Sequence, residues 1–292
     1  MDDVAWGRTV WVDSIEEDFG GNGANTSYAL AKLGASVRLM GTLGDDEAGD
    51  RVLARLRSVG VDVAQVRRST LPTPTTIVLV SPNGARSLLH RPGASREAFS
   101  EPPELTADLT AGCKWFHLAN VFALPALRPH ASGLLAKARE AGLSVSVDTG
   151  WDARGEWIKV LGPCLAHADL LFVNEDEARE LTGLSHPIEA ARALQQHGVK
   201  SVVVKLGAAG CALFLGDESI ACPAFQVPVA DTTGAGDSFV GAFLAALLRG
   251  LSYADAAVFA NAVGALSVQK LGGTAGLVSF DATLEWLKSQ QK

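Results

Sequence analysis

Residues 231–239 read Asp231-Thr232-Thr233-Gly234-Ala235-Gly236-Asp237-Ser238-Phe239 and run on into Val240-Gly241-Ala242-Phe243-Leu244-Ala245-Ala246-Leu247-Leu248. Apolar residues at 240, 243, 244, 247, 248 and 251 recur with a helical period, which puts the two glycines at a helix N-terminus. Free backbone N–H groups and the positive end of the helix dipole meet there, and small residues let an anion approach the main chain. A carboxylate in that first turn would repel the anion. Asp237 makes chemical sense as the acceptor of a proton from an attacking hydroxyl, and an ordinary N-terminal cap is the alternative.

Composition narrows the setting. With 292 residues, 48% of them hydrophobic, the chain can bury one large core or a core with a small appendage. A net charge of −7 supplies no basic field, so a nucleic-acid partner is not expected. Cys113, Cys164, Cys211 and Cys222 lie far apart without a C-x-x-C pairing, which indicates neither a zinc site nor a disulfide framework. The start, Met1-Asp2-Asp3-Val4, is acidic where a signal peptide is basic, and the apolar run 240–248 stops at Arg249, too short to span a bilayer. These features predict a soluble, cytoplasmic protein with no membrane partner.

Working outward, 37–40, 115–118, 144–148, 170–173 and 201–206 read as strands separated by helical patterns. Helices are expected over 124–141 and 175–182, closed by Gly142 and Gly183. The alternation predicts an α/β fold, a mostly parallel central sheet with helices on both faces. Runs 75–80 and 86–90 flank Pro82-Asn83-Gly84, a hairpin signal. Together with the run 9–12 they predict a small β lid from about 7–16 and 73–91, the alternative being an edge hairpin packed on the same core. No linker or repeat divides residues 1–292, which read as one domain.

A second glycine motif, Gly20-Gly21-Asn22-Gly23-Ala24-Asn25, opens a helical pattern over 26–33, and Gly41-Thr42-Leu43-Gly44-Asp45-Asp46 follows the next strand. Asn25 donates and accepts in a planar fork suited to vicinal hydroxyls, so a polyol is a reasonable guest, with a purely structural turn as the alternative. Asn174-Glu175-Asp176-Glu177 puts three carboxylates at a strand end that opens a helix, which dipole complementarity alone could also explain. Lys205-Leu206-Gly207-Ala208-Ala209-Gly210 follows another strand, where Lys205 could reach a phosphate as a point charge or lie on the surface. No Walker A sequence is present, which argues against a P-loop kinase.

These motifs, in this order, resemble the ribokinase-like, or PfkB, family of carbohydrate kinases. Its signature D-T-x-G-A-G-D-x-F is similar to 231–239, and G-G-x-x-x-N followed by G-x-x-G-x-D is similar to Gly20–Asn25 and Gly41–Asp46. The resemblance implies Asp237 as catalytic base with Gly234, Ala235 and Gly236 as the anion hole. It implies sugar binding by Gly21, Asn22 and Asn25, Asn22 standing where many ribokinases have lysine. It further implies a nucleotide side formed by Asn174, Lys205, Gly207, Gly210 and Asn261, magnesium held near Glu177 through water, and a monovalent cation such as potassium near Asp231. ATP, magnesium and a small sugar are then the expected ligands, and a homodimer through the β lid is the expected partner. The implied activity is transfer from ATP to a primary sugar hydroxyl; an adenosine-like nucleoside kinase and a non-catalytic sugar-binding regulator are the rivals.

Two departures qualify this. The family's first strand ends in G-x-x-x-x-D, whose aspartate is better matched by Asp2, with Asp3 the alternative, so that strand is expected to be mostly missing. Where several sugar-acid and fructose kinases resemble D-x-N-x-R, this chain reads Asp148-Thr149-Gly150-Trp151-Asp152. Loss of the arginine disfavours a sugar acid, and an acidic Asp152 would disfavour a phosphorylated sugar, leaving a neutral sugar or nucleoside. Trp151 is expected to be buried in a helix–strand corner rather than stacked on a ring.

Overall fold

The computed structural model describes residues 7, 9, 11–80 and 86–290. Among these residues ten strands follow in chain order: β1 Arg38–Gly44, β2 Asp62–Ser69, β3 Thr75–Val80, β4 Arg86–Arg91, β5 Trp115–Ala119, β6 Ser144–Asp148, β7 Leu170–Asn174, β8 Ser201–Lys205, β9 Cys211–Leu215 and β10 Glu218–Cys222. The α-helices are α1 Asn22–Lys32, α2 Glu47–Arg57, α3 Ala107–Thr110, α4 Ala131–Glu140, α5 Ile158–Leu165, α6 Glu175–Thr182, α7 Pro187–Gln195, α8 Ala235–Leu248, α9 Tyr253–Ser267 and α10 Phe280–Gln290.

Among the described residues the main sheet runs β10-β9-β8-β7-β6-β5. β5 to β8 are parallel neighbours, and the hairpin β9–β10 closes the other edge antiparallel. Strand alternation sends side chains into two separate cores. Leu170, Phe172, Val203 and Leu213 face α1, α2, α8 and α9, whereas Leu171, Val173, Val202 and Val204 face α4, α5, α6 and α7. Apolar residues at consecutive positions of one strand are thus explained by burial on both faces.

β1 and β2 form a separate parallel pair. α1 lies across both sheets, since a Cβ on Gly23 would stand 3.8 Å from Leu39 Cδ1 and 3.9 Å from Ala119 Cβ. The expected first strand and Asp2 fall outside the described residues. β3 and β4 make the expected hairpin, whose Asn83-Gly84 turn also lies outside them. Ile77, Val80, Leu88 and Leu89 on it are exposed.

Two expectations need correction. Thr9, Trp11 and Val12 join no strand, so among the described residues the small sheet is the β3–β4 hairpin alone. The helix expected over 124–141 begins only at Ala131 and is preceded by two short 3-10 turns. Pro125 and Pro129 explain the delay, because each removes a backbone donor and restricts the residue before it.

Candidate active site

Asp237 occupies the third position of α8 and is only 8% exposed. The N-cap is Gly234, at φ 68°, where an added Cβ would stand 2.7 Å from Gly273 O, so glycine is required there. No side chain caps this helix end. Asp237 turns instead to α1: its Oδ1 accepts from Asn22 Nδ2 at 2.9 Å and its Oδ2 from Asn25 Nδ2 at 2.8 Å. α1 starts after Gly21, at φ 104° and also without a side-chain cap. The two glycine motifs, more than two hundred residues apart in sequence, therefore bring two uncapped helix N-termini to one carboxylate. The close approach is possible because position 241 is glycine; a Cβ there would stand 2.8 Å from Ala29 Cβ and 3.0 Å from Thr26 O.

Charged groups at the C-terminal ends of the parallel strands complete the cluster. Lys205 Nζ donates to Asp148 Oδ1 at 2.8 Å, and lies 3.5 Å from where a Cβ on Gly236 would stand. Burial opposes the Lys205 ammonium, but the carboxylates of Asp148, Glu177 and Asp237 outweigh it and raise its pKa. Burial pushes the Asp148 carboxyl up to about 7, with Lys205 pulling the other way. Burial likewise raises Asp237, opposed by its bonds from Asn25 and Asn22 and by Lys205. Lys205 is therefore not a loose surface lysine; it is a partly buried counter-ion among these acids. Asp148 was absent from the sequence-derived site, although it ends an apolar strand and opens the Asp148–Asp152 stretch compared with D-x-N-x-R.

Asn174 and Glu177 form a capping box at α6: Asn174 Oδ1 accepts from Glu177 N at 2.8 Å, and Glu177 Oε2 accepts from Asn174 N at 2.9 Å and from Thr149 Oγ1 at 2.6 Å. Gly207 opens the turn after β8, in open space, while Gly210 is packed so tightly that a Cβ would stand 2.1 Å from Cys222 O. Asn261 reaches the same corner and donates to Cys222 O at 2.9 Å and Pro223 O at 3.2 Å. Asp231 accepts from Thr233 N and Gly272 N, at 2.8 and 3.1 Å, pinning the approach to α8. Among the described residues no group of three or more His, Cys, Asp or Glu side chains is placed to hold a metal ion.

The segment after β6 departs from expectation. Asp152 does not offer its charge to a ligand: Arg128 Nη2 donates to it at 2.7 Å, and the N–H groups of Arg154, Glu156 and Trp157 donate as well. Trp151 is 62% exposed and meets Trp157 edge-on, not buried as expected. The turn that Asp152 holds forces residue 151 outward. Gly150 leaves room for Asn120, since a Cβ there would stand 2.2 Å from Asn120 Nδ2. Asn120 directly follows β5 and belongs to the cluster through the bond it donates to Asn22 Oδ1 at 3.0 Å. No sequence motif marked it.

The family resemblance is borne out. The chain belongs to the pfkB family of carbohydrate kinases, which matches residues 3–279. It is 32% identical to fructokinase-1 of Zea mays over 285 residues, covering 92% of this chain and 88% of that protein. It is 31% identical to aminoimidazole riboside kinase of Salmonella typhimurium over 284 residues, with the same coverages. Among solved structures it is similar to Arabidopsis thaliana ribokinase complexed with ribose and ATP, at a TM-score of 0.82 and 29% identity, covering 97% of this chain and 91% of that one. The ribokinase-like α/β fold follows.

Proposed function

We propose that this carbohydrate kinase transfers the γ-phosphoryl group of ATP to a primary hydroxyl of a small neutral sugar, with Asp237 as the base and the 234–236 amides as the anion hole. One observation carries the reading: a buried carboxylate at an uncapped helix N-terminus, gripped from the opposite helix by Asn22 and Asn25. Raised by burial yet kept ionisable by those donors and by Lys205, Asp237 can take the proton of the attacking hydroxyl. The N–H groups at the start of α8 then face the phosphoryl oxygens as charge develops on them.

The acceptor side favours a neutral polyol. Asn22, Asn25 and Asn120 present amides rather than charges, and Asn25 Oδ1 is buried without a hydrogen-bond partner among the described residues, which suits it to accept from a sugar hydroxyl. Gly21 lets the main chain approach, and Asp2, outside the described residues, is a further candidate contact. The relatives named fructokinase and ribokinase support this class. A nucleoside acceptor is the second reading, supported by the aminoimidazole riboside kinase relative. On the nucleotide side Gly207, Gly210 and Asn261 form one wall, with Lys205 towards the phosphates.

Magnesium fits this donor set, because it retains several waters and needs few protein carboxylates. Glu177, with Asn174 beside it, would hold its water shell, and the ion would supply charge neutralisation at the phosphates. Asp231, with the turn it pins, is the candidate for potassium. The exposed apolar residues of the β3–β4 hairpin support a lid that pairs with a second copy of the chain, which light scattering of the purified protein would test. The net charge of −7 supports the absence of a nucleic-acid partner. No described helix is long and apolar enough to cross a membrane, and the unpaired cysteines are consistent with a cytoplasmic setting.

The test is ADP release from ATP with magnesium in the presence of ribose, fructose, a 2-keto-3-deoxy sugar acid, a sugar phosphate, adenosine and inosine. Turnover is expected with a neutral sugar and not with the acidic ones. Preference for a sugar acid or a sugar phosphate overturns the acceptor assignment, and turnover confined to a nucleoside selects the second reading.

A further inference from the structure

We infer that Asn120 is a positioning residue for the transfer reaction: through Asn22 it dictates which edge of the Asn22 amide faces Asp237. The inference rests on the reading of Asp237 as the base. Backbone N–H groups are donors of fixed polarity. The backbone N–H groups of Phe122 and Ala123 both point at one end of the Asn120 side chain, at 3.1 and 3.2 Å, so that end is the oxygen. The other end is therefore the NH2 group, and it donates to Asn22 at 3.0 Å, which makes the contacted Asn22 atom its oxygen. The NH2 group of Asn22 is then left facing Asp237 Oδ1, at 2.9 Å. A chain of amides thus carries the polarity of two fixed backbone groups to the reacting carboxylate.

The fold maintains this chain at a cost. Asn120 adopts φ 62°, a left-handed conformation that asparagine tolerates better than most residues, and its own N–H donates to Asp148 O at 3.0 Å. It is buried. Position 150 is glycine next to it, and any larger residue would strike the donating end of the amide. Conformation, burial and the excluded volume at 150 all serve one orientation of Asn120.

Asn120→Asp separates this role from a structural one. The aspartate still accepts from Phe122 and Ala123, so the turn is preserved, but its second oxygen meets the Asn22 oxygen. Asn22 must then turn over and present its oxygen to Asp237, which loses one of two side-chain donors. Gly150→Ala displaces the same amide from outside and serves as the second variant. The charged groups facing Asp237 are Lys205 on β8, Asp148 on β6 and Glu177 on α6, and α1 presents the amides of Asn22 and Asn25 with the Thr26 hydroxyl. These remain in both variants, but Asn120→Asp adds a carboxylate that itself raises Asp237, so the pH profile of the uncharged Gly150→Ala decides the readout.

Turnover, its pH profile and KM for ATP would be measured for both variants beside Asp237→Asn, with far-UV circular dichroism as a check of folding. The expected result is a fall in kcat of about tenfold or more, KM for ATP within about twofold, and an acidic limb moved upward by about one pH unit. If Asp237→Asn is inactive while folded Asn120→Asp and Gly150→Ala keep wild-type turnover, the inference fails and the base survives. A fall in turnover with an unmoved acidic limb also overturns it, since Asn120 then acts only as scaffold. An active Asp237→Asn removes the base itself and the inference with it.

Discussion

Lys205 and Asp148 form an ion pair, Nζ to Oδ1 2.8 Å, in which Asp148 is buried and Lys205 partly buried, within the cluster that includes Asp237. The pair joins the ends of β6 and β8, which are not neighbours in the sheet because β7 runs between them. A lone ammonium at this depth would be strongly disfavoured. Three carboxylates hold it charged, and it in turn restrains the rise of Asp148 and Asp237. The arrangement keeps a buried acid able to act as a base at neutral pH.

On the proposed role of Asp237 as base, its replacement should abolish the chemistry and spare binding. Asp237→Asn retains the shape of the side chain but cannot take a proton. We expect kcat to fall by about 10²–10⁴-fold, the usual range for loss of general base catalysis, while ATP binding measured by calorimetry changes little.

The pH profile follows from the raised pKa of Asp237. The carboxylate must be ionised to act, so kcat/KM falls as pH drops through that pKa, and the acidic limb lies above the value of about 3.9 for a free aspartate. Asp148, at about 7, interacts with it, so the observed limb belongs to the coupled set. Lys205→Met removes the cation that favours both ionised forms and should move the limb further upward, with reduced turnover at neutral pH. A profile unchanged in Lys205→Met would dissociate the lysine from the base.

Gly234→Ala should damage the proposed anion hole. A Cβ would stand 2.7 Å from Gly273 O, on a backbone with φ 68°. Strain of this kind costs about 1–3 kcal/mol, and relief requires the 234–236 segment to shift. A lower melting temperature and a higher KM for ATP are expected together.

The clasp below Trp151 predicts a stability effect with a definite sign. Burial pushes Asp152 up, but donors from Trp157, Arg128, Arg154 and Glu156 outweigh it and hold its pKa below the ordinary value. A depressed folded pKa contributes stability above the unfolded value of about 3.9, and that contribution disappears as pH falls through the folded one. Arg128→Met leaves a buried carboxylate without its partner and should cost about 3–5 kcal/mol in urea unfolding at neutral pH. The deficit should shrink at low pH, where Asp152 is protonated in both states.

How much of this was legible in the sequence differs from residue to residue. Gly234 to Asp237 and Gly20 to Asn25 could be read directly, because a glycine turn opening an amphipathic helix is a local pattern. The same holds for β7 and α6, where the apolar run ending at Val173 and the acids before Gly183 set both elements within one or two residues. Asp152 read locally as a free acid beside the site, and the reading failed because its partner, Arg128, is brought to it by packing across the far core. Lys205 and Asn120 fell between the two cases, visible as strand-end residues with no local sign of what they touch.

The sequence by itself thus determined the α/β alternation, the two glycine-rich helix starts and the family, since each is written in spacing over a few turns. Only the tertiary structure decided that Asn22 and Asn25 grip Asp237, that Lys205 answers Asp148, and that Gly150 exists to admit Asn120. The reason is physical: hydrogen bonds and ion pairs between residues far apart in the chain depend on where packed elements end, and burial, which gives those contacts their strength, has no local spelling.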